Sequence, residues 1–150
     1  MTASPAKEDP DALGAVQRLL QQGEVAKALE TLNGLADTAQ SSVMGQYMRG
    51  VCLRLMGEFA NAESALRQLV EGNPSYGRAF QELGHLYRDA NMPTEALNAY
   101  ATACHLNPGL KASWAAQRDL IGTGSPDRAA QINQRLQWLE SLPPALLASW

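Results

Sequence analysis

Basic charge is what this chain lacks most plainly. Its 12 Lys and Arg stand against 15 Asp and Glu, for a formal charge of −3. None of the cations forms a run, which excludes the basic patch that binding to nucleic acid or an anionic membrane surface requires. No stretch approaches the roughly 18 apolar residues of a spanning helix, and Met1 to Pro10 is polar and acidic, without a signal-peptide core. The chain therefore reads as soluble and cytoplasmic, with no nucleic-acid or membrane partner. Cys52 and Cys104 are the only cysteines. Neither has a CxxC partner or a His at ligand spacing, so both read as buried free thiols. His85 and His105 fall on different helical segments and form no i,i+4 metal pair. There is no GxSxG, HExxH, phosphate-binding GxxxxGK, GxGxxG or EF-hand loop. No catalytic residue, cofactor or metal is expected, and the chain reads as a non-enzyme.

What is present is helix-forming. Ala, Leu, Gln and Glu outnumber Val and Ile, which favours helix over strand. Residues 1–9 carry no periodicity and read as a disordered lead-in. From Asp11, apolar residues recur at helical spacing through Leu13, Val16, Leu19 and Leu20, break at Gly23, and resume with Val25, Ala28, Leu29, Leu32 and Leu35. Gly23 marks the turn of a helical hairpin. A second hairpin turns at Gly57. In a third, Phe80, Leu83 and Tyr87 stripe one helix and Ala96, Tyr100 and Ala103 the next, with Gly84 and Ala96 small where the two backbones approach.

These hairpins repeat. Subtracting 34 from Gly84, Ala96, Asn107 and Pro108 lands on Gly50, Ala62, Asn73 and Pro74; a second subtraction gives Val16, Ala28 and Gln40, a weaker copy without the glycine or the proline. Going forward, Trp114 stands one such interval after Phe80, and the pattern then drifts. Gly122 and Gly124 end that helix early, and Ser125-Pro126 reads as an N-cap followed by proline in the first turn. A last helix through Ala129, Ile132, Leu136 and Leu139 stops at Pro143-Pro144. The apolar residues 145–150 read either as a short helix packing Leu146, Leu147 and Trp150 over the last repeat, or as the point from which a longer chain continues.

Phe80, Leu83, Gly84, Tyr87, Ala96, Tyr100 and Pro108 fill the slots of the pattern W-x2-L-G-x2-Y…A-x3-F…P, and in this the chain resembles the tetratricopeptide repeat family. The resemblance implies an all-α fold, an α-α superhelix of antiparallel hairpins over 10–142. Its repeats fall at about 9–42, 43–76, 77–110 and a degenerate 111–142, with 143–150 as a tail. It also implies that a protein or peptide partner is bound in a concave groove, built by the first helix of each hairpin from places not used in packing. Those places hold Leu13, Gln17 and Leu20, then Met44, Tyr47, Met48, Val51, Arg54 and Leu55. Further on they hold Arg78, Gln81, Glu82, His85 and Arg88, then Ala112, Ala115, Ala116 and Asp119. Arg78 is the only cation at the places where the chaperone-tail branch of the family clamps a C-terminal carboxylate, and Glu82 would repel one, so no chaperone-tail binding is expected. In the second repeat Gln46 and Arg49 replace Phe80 and Leu83, and packing there is expected to be looser. The run from Gln137 to Pro143 is also similar to bacterial sulfotransferases that carry such repeats, which would make this chain the non-catalytic docking part of a larger enzyme. Self-association into a homodimer is the third reading.

Overall fold

A computed structural model describes residues 12–122 and 124–148 of the chain, with the side chains of 147 and 148 excepted. The expected lead-in at 1–9, the start at Asp11 and the placement of Leu147 and Trp150 lie outside these residues. Every regular element among the described residues is a helix. The chain divides into two units, Met1–Asn73 and Pro74–Trp150, and each has its own logic.

In the first unit α1 (Ala12–Gln21) and α2 (Val25–Asn33) form one hairpin, and α4 (Val43–Leu55) and α5 (Phe59–Gly72) another, with the short α3 (Asp37–Ser41) between them. Val16, Ala28, Leu32, Met48 and Cys52 make a core that joins α1, α2 and α4. The repeat spacing holds for the start of the second helices, since Val25 precedes Phe59 by that interval. It fails at their ends: α2 stops at Asn33, well short of the place matching Gly72. Asn33-Gly34 breaks the helix where Ala and Leu would have continued it, and the displaced turn becomes α3. Gln40, standing where the later repeats have Pro74 and Pro108, ties the break together. Its Nε2 donates to the carbonyls of Asn33 (3.0 Å) and Leu35 (2.8 Å), groups that an interrupted helix leaves unpaired. Gly45 lets α3 come close to α4, because a Cβ there would strike the Ala39 carbonyl oxygen. Ser42 caps α4, its Oγ accepting from the Gly45 amide at 3.0 Å.

In the second unit α6 (Gly77–Asp89) and α7 (Pro93–Leu106) pair, followed by α8 (Lys111–Ile121), α9 (Pro126–Ser141) and α10 (Pro144–Ala148). The predicted stripes are the packing surfaces: Leu83, Gly84 and Tyr87 are buried, and Ala96, Tyr100 and Ala103 fully so. A Cβ on Gly84 would come within 2.6 Å of the Tyr100 ring. The same close approach sits one repeat earlier in the first unit, Gly50 against Leu66.

Three turns between helices share one geometry. Gly23 (φ +78°), Gly57 (φ +79°) and Asn91 (φ +61°) hold the same place in successive repeats, and all are left-handed. At each, the next residue's amide reaches back five places, Glu24 to Leu19 (2.9 Å), Glu58 to Leu53 (2.9 Å) and Met92 to Tyr87 (2.7 Å), while the turn residue bonds three places back. This Schellman arrangement closes the C-terminus of each first helix. In the fourth hairpin the turn differs: Gly122 has φ +58° but ψ −137°, and its amide bonds four places back, to the Arg118 carbonyl at 3.1 Å. Two details differ from expectation. Ser125 occupies the cap position of α9 without a side-chain cap hydrogen bond, and Leu146, on the short helix α10 that begins at Pro144, is exposed rather than packed over the last repeat.

Both cysteines are buried. Burial pushes the Cys52 thiol up to about 11, with the Arg49 charge opposing, and the Cys104 thiol up to about 12, against a hydrogen bond from Gln117 Nε2 at 3.1 Å.

Three outcomes follow from these contacts. Gly84→Ala should cost about 1–3 kcal/mol in chemical denaturation, because the neighbouring ring has no room to yield. Asn91→Gly should leave stability nearly unchanged, whereas Asn91→Val should lose about 1–2 kcal/mol to left-handed strain. The two thiols should resist a disulfide-exchange reagent at pH 8 in the native protein and react on unfolding. Since their folded pKa values are raised, the stability they contribute is intact below the unfolded thiol pKa and falls as pH climbs from about 9 toward 12.

Candidate functional site

The candidate residues of the first unit lie mainly on α4. Met44, Tyr47, Val51 and Leu55 follow one another by three, four and four residues and so share one helical stripe. Met44 is 42% and Leu55 49% exposed; Tyr47 and Val51 are half-buried, as is Arg54 on the stripe's flank. Met48 corrects the sequence reading. It is 4% exposed and belongs to the core with Val16 and Cys52, because α1 and α2 cover that side of α4. Leu13 and Leu20, expected in the groove, likewise pack against this core. Gln17 on α1 is exposed.

In the second unit the structure brings three of the expected residues, Arg78, Gln81 and Ala112, into one cleft. Arg78 and Gln81 of α6 line a cleft of about 430 Å³ with Lys111 and Ala112 at the start of α8 and Pro144 of α10. No acidic side chain is in that lining. Gln81 is held there by α8: Ser113 Oγ donates to Gln81 Oε1 at 2.8 Å, which turns the Gln81 amide nitrogen toward other acceptors. Glu82 is a second correction. At 3% exposed it is buried within α6 rather than presented to the groove. Lys111 adds a second cation to this cleft. Ala116, also expected in the groove, is buried.

The remaining candidates stand apart from the cleft lining. His85 is half-buried, with its Nδ1 2.6 Å from the Tyr100 hydroxyl and its ring edge-on to the tyrosine at 5.3 Å. Which of the two donates depends on the imidazole tautomer, and in either case the bond braces α6 against α7. Arg88 and Asp119 are exposed and pair with chain neighbours, Arg88 with Asp89 at 3.3 Å and Asp119 with Arg118 at 3.5 Å.

Sequence reasoning missed the polar residues that organise α8. Ser113 and Gln117 are buried where the third repeat has Ala79 and Leu83. Gln117 Nε2 donates to Cys104 Sγ and, at 3.3 Å, to the Ser113 carbonyl. Their signal was a polar residue at an apolar place of the repeat. Trp114 donates from Nε1 to the Pro108 carbonyl at 2.8 Å, and the Arg135 guanidinium lies 5.7 Å from the Trp114 ring and 5.4 Å from the Trp138 ring. Among the described residues no cluster of His, Cys, Asp or Glu is arranged to hold a metal, and no helix is long and apolar enough to cross a membrane.

Solved structures share this architecture. A crystal structure of MamA superposes with a TM-score of 0.71 over 96% of this chain and 85% of that one, at 21% identity. The fragment MamA 41-end from Desulfovibrio magneticus RS-1 gives 0.66 over 91% and 76%, at 18% identity. A MamA RS-1 double mutant gives 0.69 over 89% and 76%, at 20% identity. At this level of identity the likeness is one of fold, the all-α solenoid of helix hairpins. No curated protein sequence matches the chain, and the expected tie to sulfotransferases finds no support. A tetratricopeptide repeat model matches residues 13–77 and 56–110, well over half of the chain. The chain belongs to the tetratricopeptide repeat family.

Proposed function

We propose that this chain is a protein-interaction module that binds an amphipathic segment of a protein partner, a peptide or a helix, on the exposed faces of its first helices. The repeats and the MamA-like neighbours support a protein-binding scaffold in general terms. The finer reading is carried by one observation, the α4 stripe of the first unit. Met44 and Leu55 leave large apolar surface in water, with Tyr47 and Val51 between them. Of the four, Tyr47 also packs in part against the core formed by α1, α2 and α4. Flexible Met and a rigid Tyr side by side suit recognition of apolar side chains of varied shape. The second unit offers a different chemistry in its own cleft. Arg78, Lys111 and the Gln81 amide, with no acid among the described residues of the lining, favour acidic side chains on the bound segment.

A peptide selected by display against the wild-type protein provides the probe. Met44→Glu combined with Leu55→Glu should weaken its binding at least tenfold while the melting temperature moves by only a few degrees, since both side chains are largely exposed. Unchanged affinity with an intact fold would refute the α4 stripe as the binding face. Arg78→Glu with Lys111→Glu, measured on a Glu-rich peptide, should abolish binding and its salt dependence. Binding that persists equally at low and high salt would exclude the charged cleft.

A further inference from the structure

On the opposite flank of α4 the first unit holds a second cleft, of about 590 Å³, lined among others by Asp37, Gln40, Gln46, Arg49, Gln68 and Asn73. Two of its lining residues depart from the repeat. Gln46 and Arg49 hold the places that Phe80 and Leu83 take in the next repeat. By helical geometry, Gln46 and Arg49 point nearly opposite to the Met44–Tyr47–Val51 stripe.

Arg49 is held ready in this cleft. Its Nη1 donates to Asn33 Oδ1 and its Nη2 to Gln40 Oε1 at 2.8 Å. The Gln40 amide is fixed in turn by the Asn33 and Leu35 carbonyls. Both acceptors on the guanidinium are neutral. Among the described residues no carboxylate lies within ion-pair distance of it. A guanidinium carries five N–H donors, so the half-buried cation keeps directed donors for an anion, with its side-chain entropy already spent.

We propose that this cleft is a binding site for the acidic side chain of an extended peptide segment, with Arg49 as its anchor. A carboxylate matches the planar fork of the guanidinium. Asp37 in the same lining sets the limit on charge, because it tolerates a single negative charge beside Arg49 and opposes a phosphate dianion. The amides of Gln46, Gln68 and Asn73 supply donors and acceptors of the kind that pair with peptide backbone. The site is independent of the α4 stripe and of the cleft in the second unit, so its failure would leave those readings untouched.

The test is an NMR titration of the isotopically labelled full chain with the capped tripeptide acetyl-Ala-Glu-Ala-amide, read on the Arg49 Nε–H resonance and the backbone amides of α3 and α4. The result expected is a saturable shift with a millimolar midpoint. The Gln-centred tripeptide should bind at least tenfold more weakly, the phosphoserine-centred one more weakly as well, and Asp37→Asn should tighten the Glu peptide several-fold. Arg49→Gln should abolish the shift. Because that variant also unties Asn33 and Gln40, Arg49→Lys is the companion: it keeps the charge, loses the fork, and should bind several-fold more weakly with the α3 amides still folded. Equal binding of Glu and Gln peptides, preference for the phosphoserine peptide, or full affinity in Arg49→Lys together with no gain in Asp37→Asn would each overturn the proposal.

Discussion

A glycine backbone pressed against a large side chain is the contact on which this molecule depends. Gly84 lies under the ring of Tyr100, and Gly50 under Leu66, at the same place of consecutive repeats. Each glycine allows its two helices to approach closely enough for the alanines beside them, Ala62 in one hairpin and Ala96 in the other, to be fully buried. Dense packing of small against large leaves the hairpin one relative position. That fixed position in turn requires the sharp left-handed closures at Gly57 and Asn91, because helices this close leave little room for a longer loop. Turn, close approach and stripe are thus one constraint expressed in three ways within a single repeat.

The first repeat shows the effect of relaxing that constraint. Val16 takes the glycine's place, the proline is replaced by Gln40, and Asn33-Gly34 breaks the second helix. The freed turn becomes α3, which a second glycine, Gly45, admits against α4. Polar side chains then do the work that apolar packing does elsewhere: Gln40 closes the broken helix end and Arg49 spans from α4 to both Asn33 and Gln40. A similar exchange occurs in the last hairpin pair, where Ser113 and Gln117 are buried at apolar places and bond to Gln81 and Cys104. Departures from the repeat are therefore where this protein places its polar groups.

The fold was legible in the sequence because its causes are local and periodic. Small residues at one offset, glycine at turns and stripes at helical spacing each announce themselves in a single chain. Asn91 was less visible, since asparagine reaches left-handed backbone without advertising it as glycine does. The binding residues were only partly legible. Of the residues that helical geometry put in the groove, Met44 and Arg78 are exposed and Tyr47, Val51 and Gln81 half-buried, whereas Met48 and Glu82 are buried. Which flank of a helix is covered is decided by neighbouring helices, and α1 and α2 bury Met48 in a way its spacing does not reveal. Lys111 went unnoticed because it precedes the packing places of its helix and joins Arg78 only through the fold.

On the proposed reading, packing and recognition are divided between alternate places on the same helices. Mapping chemical-shift changes on the wild-type chain with a display-selected peptide bound tests that division most directly. The account predicts that in the first unit the perturbed side chains are Met44, Tyr47, Val51 and Leu55 on α4. Changes confined to the second helices of the hairpins, α2, α5 and α7, with the α4 stripe silent, would contradict it.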